Sequence, residues 1–236
     1  TGSIDNIKHL EHNDNFTFIR CDITDKEFLK LSEKYAIDKI DEIYHLASLA
    51  SPDKYKKYPL ETLNVGYIGT LNVVALALLS NTNRVKCADV TSKDMHPKIL
   101  FTSTSEVYGD PDIDPQSEEY FGNVNTVGER SCYDESKRIA ETLCYINRDR
   151  LNIKIVRLFN TYGPRMDPQD GRVITNFISA VKNNEPIKIY GNGNQTRAFC
   201  YIDDMIDGLI KMMESDHQGP INLGNPDQCM TINQLA

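Results

Sequence analysis

Short apolar runs alternate along the chain with segments whose apolar residues recur at helical spacing. Strands are predicted at 16–21 (FTFIRC), 42–46 (EIYHL), 99–103 (ILFTS) and 153–159 (IKIVRLF). Helices are predicted at 28–35, 60–79 and 133–148. Because this alternation is typical of βαβ units, the sequence predicts an α/β fold with a doubly wound parallel sheet.

Two stretches depart from this alternation. Residues 80–98 are polar and irregular, which predicts an exposed loop before the strand at Ile99. After Asn160 the chain is rich in loop-forming residues, among them Pro164, Pro168 and Gly171. A region of this kind is typical of a substrate lobe inserted at the carboxyl ends of strands.

Composition and charge narrow the class of protein. The net charge of −8 and the pI near 5.2 argue against a nucleic-acid scaffold, which needs a basic face. The six cysteines are scattered, without a C-x-x-C or a Cys/His cluster, which predicts reduced thiols and no metal site. No run approaches the ~18 apolar residues of a membrane span, and no signal peptide opens the chain. We expect a cytoplasmic protein without membrane contact in these residues, although a precursor with a Golgi-type anchor is an open alternative.

A tyrosine and a lysine four residues apart, Tyr133 and Lys137, form the central candidate site. On a helix these two side chains share one face. A free tyrosine has a pKa of ~10 and is a poor base at neutral pH. A neighbouring lysine and an oxidised nicotinamide both favour the phenolate, so the pair predicts a general base.

A hydroxyl-rich strand end lies upstream of this pair. The strand at 99–103 runs into T-S-T-S-E, and Thr104 is placed to hydrogen-bond a substrate oxygen while Tyr133 removes its proton. Ser105 and Glu106 follow directly. A surface Tyr–Lys pair and a turn-capping threonine are the ordinary readings of either motif alone, and their combination favours catalysis.

The order of four motifs resembles the extended short-chain dehydrogenase/reductases, which act on nucleotide-activated sugars. These motifs are H-L-A-S (45–48), S-T-S-E-V-Y-G (103–109), Y-x-x-x-K (133–137) and R-x-F-N-T-Y-G-P-R (157–165). Within that family the stretches SCYDESKRIAET, DGRVITNFI and IYGNGNQTRAF are most similar to the UDP-glucuronate decarboxylases. The resemblance implies a Rossmann-type dinucleotide-binding domain at 1–160 and mainly a substrate lobe, with returning Rossmann elements, at 161–236.

The resemblance also implies a reaction. A tightly held NAD would take hydride from C4 of UDP-glucuronate, the 4-keto sugar would lose CO2, and return of the hydride would give UDP-xylose. Related 4,6-dehydratases carry an aspartate at the position of Ser105, where it expels water from C6. Serine at 105 therefore favours decarboxylation over a 4,6-dehydratase, and the sequence context also speaks against a 4-epimerase. A cofactor-less pseudoenzyme or sensor is the alternative from another class.

Further site residues are carried over by the resemblance. For the cofactor it implies that Asp22 lies beside the adenine and that Leu46, Ala47 and Ser48 form a turn under the dinucleotide. Lys137 would reach the nicotinamide ribose, and Ser103 and Tyr133 complete the set of cofactor-binding residues. For the UDP-sugar it implies Asn160, Arg165, Arg172, Asn176, Tyr190, Gln195 and Arg197. Arg197 is matched both to the diphosphate side and, in bifunctional bacterial enzymes, to the reacting sugar, so it is also a catalytic candidate.

Departures from the family pattern produce further expectations. No G-x-G-x-x-G precedes the first predicted strand, so we expect the first βαβ elements to be missing, and the carboxyl end also stops early. Gly66 stands where the family has asparagine before Gly69, and Asn64 is the residue that could compensate. Relatives commonly dimerise through two long helices, which here would be 60–79 and 133–148. The residues present do not distinguish NAD from NADP.

Overall fold

The computed structural model describes residues 2–37, 39–80 and 96–236. Its strands are β1 (Glu42–His45), β2 (Lys98–Thr104), β3 (Ile153–Leu158), β4 (Thr161–Tyr162), β5 (Thr196–Ala198), β6 (Cys200–Tyr201), β7 (Pro220–Leu223) and β8 (Cys229–Thr231). Its α-helices are α1 (Leu31–Lys34), α2 (Pro52–Lys57), α3 (Pro59–Asn64), α4 (Thr70–Leu79), α5 (Ser131–Ile146), α6 (Val173–Lys182), α7 (Ile202–Glu214) and α8 (Ile232–Leu235).

The central sheet has four parallel strands in the order β1-β2-β3-β7. Alternate residues of β2 point to opposite faces, so Ile99 and Phe101 pack with α4 and α5, whereas Leu100 packs with α7. Strands covered on both faces are expected to contain apolar runs, such as Ile99–Phe101 in β2, and most residues of β2 and β3 are buried. The doubly wound parallel sheet predicted from the sequence is confirmed.

Smaller sheets carry the second part of the chain. Strands β4 and β6 pair in parallel, and β5 pairs antiparallel with β8. A separate apolar cluster of Phe177, Phe199 and Ile232 holds α6 and α8 beside them. The division into domains at residue 160 stays a prediction.

Helices α3 and α4 form one long segment through a π-helical turn at Val65–Gly69. A Cβ atom added to Gly66 in this turn would lie 2.5 Å from Ser136 Cβ and 2.6 Å from the Ser136 carbonyl oxygen. Glycine therefore permits the close approach of this segment to α5, between Tyr133 and Lys137. The family's asparagine would not fit here without a shift, and Asn64 is exposed.

The segment Pro59–Leu79 is also long and apolar enough to cross a membrane, with 21 residues and a mean hydropathy of 1.6 in its most apolar window. The sequence expectation that no stretch approaches a span is therefore wrong in length and mean hydropathy. Core helices of soluble proteins have the same properties, and here Val73, Val74 and Ala77 are buried against the sheet. This segment is weak evidence for a span, and the cytoplasmic location stays a prediction.

The other predicted elements can be compared directly with the structure. The strands at 42–46, 99–103 and 153–159 and the helices at 60–79 and 133–148 are present, with ends shifted by one or two residues. The predicted helix at 28–35 is divided between the end of a 3₁₀ turn at Lys26–Lys30 and the four-residue helix α1. The predicted strand at 16–21 is wrong, because no neighbouring strand pairs with it in the described residues.

The loop predicted at 80–98 falls largely on residues 81–95, which lie outside the described residues, as does Cys87. At its ends, Ser80 is buried and donates to the Leu76 carbonyl oxygen, and Lys98 begins β2. The five described cysteines, Cys21, Cys132, Cys144, Cys200 and Cys229, are free thiols.

Candidate active site

The carboxyl ends of the parallel strands meet α5 at one edge of the sheet, where open α/β folds bind ligands. Thr104 is the last residue of β2, and Tyr133 and Lys137 lie in the first two turns of α5. All three line a space of about 630 Å³, which we name the catalytic cavity. The sequence-predicted residues that line it are Leu46, Ser48, Ser103, Thr104, Ser105, Glu106, Tyr133, Lys137, Asn160 and Arg172.

Tyr133 is buried, with its ring stacked on that of Tyr55 at a centroid distance of 5.1 Å and an interplanar angle of 11°. Burial raises the pKa of Tyr133 to about 12, although hydrogen bonding to Thr104 and the charge of Arg172 lower it. In the protein alone burial outweighs the groups that lower this pKa, and the shift towards neutrality expected with a bound nicotinamide stays a prediction. A cationic ligand in the cavity would favour the phenolate.

Lys137 is also buried, and its Nζ donates a hydrogen bond of 2.7 Å to the Thr102 carbonyl oxygen. The ammonium lies 5.0 Å from the centroid of the Phe101 ring and 5.9 Å from that of Tyr133. Burial lowers the pKa of Lys137 to about 8, and the Glu141 carboxylate opposes this shift. Lys137 is thus attached to the strand that presents Thr104.

Thr104 caps the 3₁₀ turn Ser105–Tyr108, because its Oγ1 accepts a hydrogen bond of 3.3 Å from the Glu106 backbone N–H. The turn directs Ser105 and Glu106 to the catalytic cavity. Glu106 Oε2 lies 2.9 Å from Nη1 of Arg130, an ion pair that the sequence did not predict. The turn-capping and catalytic interpretations of Thr104 are therefore compatible.

His45, at the end of β1, is a buried neighbour of this site. Its Nε2 lies 3.0 Å from the Thr70 hydroxyl, and its ring contacts Phe101. Burial, and then the charge of Lys137, lower the pKa of His45 to about 3, so the ring is neutral at physiological pH. The histidine of H-L-A-S therefore links β1 to α4 rather than supplying charge.

We expect this neutral histidine to weaken the protein in acid. The unfolded chain binds a proton at His45 below pH ~6.5, whereas the folded chain does so only near pH 3. Stability should therefore fall as pH drops from 6.5 to 3, with a slope of up to ~1.4 kcal/mol per pH unit from this residue. Urea unfolding at pH 7, 6, 5 and 4 should show a shallower loss in His45→Gln, and no such change in the exposed control His12→Gln. Equal slopes in all three proteins would contradict this prediction.

A second space of about 240 Å³, which we name the distal cavity, lies next to the first. It is lined by the sequence-predicted residues Asn160, Arg172, Asn176, Tyr190, Gln195 and Arg197. Asn160, Thr161 and Arg172 line both cavities. Arg197 lines the distal cavity and is absent from the lining of the catalytic cavity, and both of its predicted roles stay predictions.

Three predicted residues are not brought to either lining. Asp22 is exposed, and its Oδ1 accepts hydrogen bonds of 2.8 Å from the Thr24 N–H and hydroxyl. Arg165 is exposed, with a φ of 68°, and its Nη1 donates to the Asn6 carbonyl oxygen. Ala47 is exposed between two lining residues, Leu46 and Ser48. Ser103 lines the catalytic cavity, but its hydroxyl donates to Glu141 Oε1 at 2.5 Å.

Sequence reasoning missed several residues of the catalytic cavity, among them Tyr55, Lys56 and Arg130. Tyr55 stacks on Tyr133, and Lys56 and Arg130 add positive charge to the lining. Tyr55 and Lys56 lie in α2, which resembles a surface helix in sequence. Arg130 stands three residues before Tyr133, and this spacing was the one available signal, since it places Arg130 in the turn that begins α5.

A clamp, formed by Arg157, Glu141 and Ser103, lies next to the catalytic cavity. Arg157 on β3 forms two hydrogen bonds to Glu141, from Nε at 2.9 Å and from Nη2 at 2.8 Å. Glu141 lies one helical turn after Lys137 and also accepts the Ser103 hydroxyl. The clamp joins α5 to the ends of β2 and β3. Within the described residues, no group of three or more His, Cys, Asp or Glu is placed to hold a metal ion.

A parallel sheet covered on both faces, with a buried tyrosine and lysine at its carboxyl edge, is typical of a Rossmann-type dinucleotide-binding fold. The family model described as "NAD dependent epimerase/dehydratase family" matches residues 3–224. The chain belongs to the NAD dependent epimerase/dehydratase family.

Curated and solved proteins agree with this assignment. UDP-glucuronic acid decarboxylase 6 of Arabidopsis thaliana is 46% identical over 238 residues, covering 100% of this chain and 62% of that protein. The chain thus spans less than two thirds of that relative's length. A UDP-N-acetylglucosamine 4-epimerase from Methanobrevibacter ruminantium M1 has a TM-score of 0.80 at 30% identity, covering 100% of this chain and 69% of that one. A UDP-glucuronic acid 4-epimerase from Bacillus cereus, solved with UDP-glucuronic acid and NAD, has a TM-score of 0.76 at 28% identity, covering 98% and 66%.

Proposed function

We propose that the protein containing this chain decarboxylates UDP-glucuronate to UDP-xylose, with NAD recycled within the site. The observation that carries this proposal is the sequence Thr104-Ser105-Glu106 in one cavity with Tyr133 and Lys137. Serine at 105 supplies no acid for expelling water from C6. The curated relative is named for the same decarboxylation.

The residues of the catalytic cavity fit the nicotinamide end of NAD. An ammonium has three N–H donors, and Lys137 uses one on Thr102, which leaves two that can hold ribose hydroxyls. Leu46 and Ser48 line the same side of the space. When bound, NAD supplies the acceptor and later the donor of a hydride at C4 of the sugar. The B. cereus epimerase with a similar fold was solved with NAD.

Tyr133 is positioned to remove the proton of the C4 hydroxyl, while Thr104 holds the same oxygen by a hydrogen bond. Oxidation at C4 gives a ketone β to the C6 carboxylate. The C5–C6 bond then breaks, its electron pair moves into the enolate, and CO2 leaves. Solvent supplies the proton that is added at C5, and Tyr133 returns its proton to the C4 oxygen when the ketone is reduced. Atoms and electrons balance, because the hydride removed at C4 is the one returned.

The distal cavity fits the nucleotide part of the substrate. Arg197 and Arg172 bring two guanidinium groups to its lining, and guanidinium groups bind diphosphate oxygens in a bidentate manner. Tyr190 offers an exposed ring against which a base can stack, and Gln195 lies beside it, donating to the Tyr190 carbonyl oxygen. Because Arg172 and Asn160 line both cavities, they are placed to hold the region between nucleotide and sugar.

The reaction is tested by incubating the full-length protein with NAD and UDP-glucuronate, and with UDP-glucose as the matched substrate that lacks the carboxylate. We expect CO2 release and a UDP-pentose from UDP-glucuronate alone. A product of unchanged mass but altered chromatographic position would indicate 4-epimerisation instead. Loss of water from UDP-glucose would indicate a dehydratase. Absence of turnover and of bound NAD would support a pseudoenzyme.

We also propose that the protein is a homodimer that pairs the segment Pro59–Leu79 and α5 with their copies. Leu60, Tyr67 and Leu71 are exposed at helical spacing on this segment, and Tyr145 and Ile146 are exposed on α5. The two helical segments lie side by side. An apolar surface of this kind is typical of homodimer interfaces.

The dimer is tested with Tyr67→Glu, which places a charge in the exposed apolar row. We expect sedimentation equilibrium to give twice the chain mass for the unaltered protein and the chain mass for the variant. Ile113→Glu, in an exposed loop outside these helices, is the matched control and should leave the mass unchanged. A monomeric unaltered protein would exclude the dimer.

A further inference from the structure

Arg130 contacts three carboxylates, each through a different nitrogen of its guanidinium. Nη1 lies 2.9 Å from Glu106, Nη2 lies 3.3 Å from Asp110, and Nε lies 3.8 Å from Asp134. These partners come from three segments, namely the turn after β2, the loop that follows it, and α5. The Asp110 side chain is 89% exposed and an exposed ion pair contributes little, so the orientation of the guanidinium is fixed mainly by Glu106 and Asp134.

The guanidinium stands between two spaces. Arg130 and Lys56 line the catalytic cavity, and both also line a neighbouring space of about 380 Å³. Glu106 borders the catalytic cavity alone, whereas Asp110 and Asp134 border the neighbouring space. Arg130 thus connects a residue beside the reacting groups to carboxylates outside that cavity.

Asp134 is an unusual partner because it is buried. Its Oδ2 is 3.8 Å from Arg130, and its Oδ1 has no hydrogen-bond partner in the part of the chain that the structure describes. Burial raises the pKa of Asp134 to about 7, and the positive charge of Arg130 opposes the shift. A buried carboxyl costs stability unless it is paired, so its position directly behind Arg130 indicates a role in orienting that side chain.

We propose that Arg130 is a positioning residue that fixes the Glu106 carboxylate in the catalytic cavity, and that Asp134 orients Arg130 from the opposite side. The kinetic part of this inference rests on the proposed decarboxylation, because Glu106 lines the same cavity as Thr104 and Tyr133. Arg130 acts on the reaction through Glu106. The statement that Arg130 fixes the position of the Glu106 carboxylate does not depend on which reaction is catalysed.

The charge of Asp134 gives the arrangement a dependence on pH. The ionised carboxylate attracts the guanidinium at Nε and so holds its orientation, whereas the protonated one does not. The titratable and charged groups around Asp134 come from α2, from residues 105–110 after β2, from residues 129–130 before α5, and from α5 itself. They are Tyr55, Lys56, Glu106, Asp110, Glu129, Arg130, Cys132 and Glu135.

Kinetic tests use Arg130→Gln, Arg130→Lys and Asp134→Asn, with Asp110→Asn as the matched control because Asp110 is an exposed partner of the same guanidinium. We expect Arg130→Gln to lower kcat by ~10²-fold with little change in KM, since misplacement by about 1 Å has this effect. Arg130→Lys should recover part of the loss, and Asp110→Asn should behave as the unaltered enzyme. Asp134→Asn should remove a titration near pH 7 from the kcat profile.

Three kinetic results would overturn the proposal. A raised KM with unchanged kcat in Arg130→Gln would make Arg130 a substrate-binding residue. Equal losses in Asp110→Asn and Arg130→Gln would indicate loss of loop structure, and so would a lowered melting temperature in both. An unchanged pH profile in Asp134→Asn would remove Asp134 from the arrangement.

A crystal structure of Arg130→Gln separates this inference from the proposed function. We expect the Glu106 carboxylate to move while Thr104 and Tyr133 stay in place, whether or not UDP-glucuronate is a substrate. A Glu106 side chain that keeps its position in this variant would overturn the proposal. Failure of the unaltered protein to release CO2 would instead overturn the proposed function and leave the structural result to decide on Arg130.

Discussion

Replacing Tyr133 by phenylalanine should lower kcat for UDP-glucuronate by ~10²–10⁴-fold, the usual contribution of a general acid–base residue. Tyr133 is the buried phenol in the cavity that also contains Thr104 and Lys137, and the variant removes its oxygen while keeping its ring. The rate of formation of UDP-pentose measures the effect. The affinity for the substrate should change little, because the Tyr133 hydroxyl acts in the proton-transfer step.

Tyr55→Phe is the matched control, since Tyr55 is stacked on Tyr133 in the same cavity. It also loses one phenolic oxygen but keeps the stacked ring that holds Tyr133. We expect kcat close to that of the unaltered enzyme. Equal losses in the two variants would show that the cavity's general environment, rather than the base, determines the rate.

Replacing Gly66 by alanine should destabilise the protein by about 1–3 kcal/mol, because the added Cβ would overlap Ser136 at the contact between the π-helical turn and α5. The backbone of Ser136 cannot move without shifting Tyr133 and Lys137, so kcat should fall as well. Differential scanning calorimetry measures the first effect, at roughly 2–4 °C per kcal/mol for a chain of this size.

Gly69→Ala, three residues along the same turn, is the control for Gly66→Ala. A Cβ at Gly69 would meet the tip of the Ile23 side chain, which can rotate away. We expect a smaller change in melting temperature and no change in kcat. A melting temperature in Gly66→Ala equal to that of the unaltered protein would contradict the close contact.

The sequence predicted the parts of the fold that are encoded in continuous apolar runs. β2 and β3 were recognised because both faces are covered, which gives each strand several apolar residues in or near a continuous run. The run at 16–21 has the same local pattern, but a strand also needs a neighbour to satisfy its backbone hydrogen bonds, and the described sheet offers none there. The π-helical turn was not predictable from periodicity, because it depends on the contact between Gly66 and Ser136.

The candidate site shows the same division between local and long-range information. Tyr133, Lys137 and Thr104 form motifs at fixed spacing, and the structure places them in one cavity. Tyr55 and Arg130 were missed because their roles arise from contacts between segments that are distant in sequence. Asp22 and Arg165 were predicted from the resemblance alone, and neither lines a cavity in the described structure.

The two adjoining cavities give the protein a modular recognition surface. The proton-transfer groups are anchored to β2 and α5, whereas Tyr190, Gln195 and Arg197 belong to loops and to the short strand β5. Under the proposed function, substitutions at those loop positions should alter the preference for a nucleobase and leave the residues of β2 and α5 in place. Both cavities are lined by Asn160, Thr161 and Arg172. Substitutions at these three positions would alter both cavities at once. An engineer who wished to convert this scaffold to other nucleotide sugars would begin at Tyr190 and Gln195.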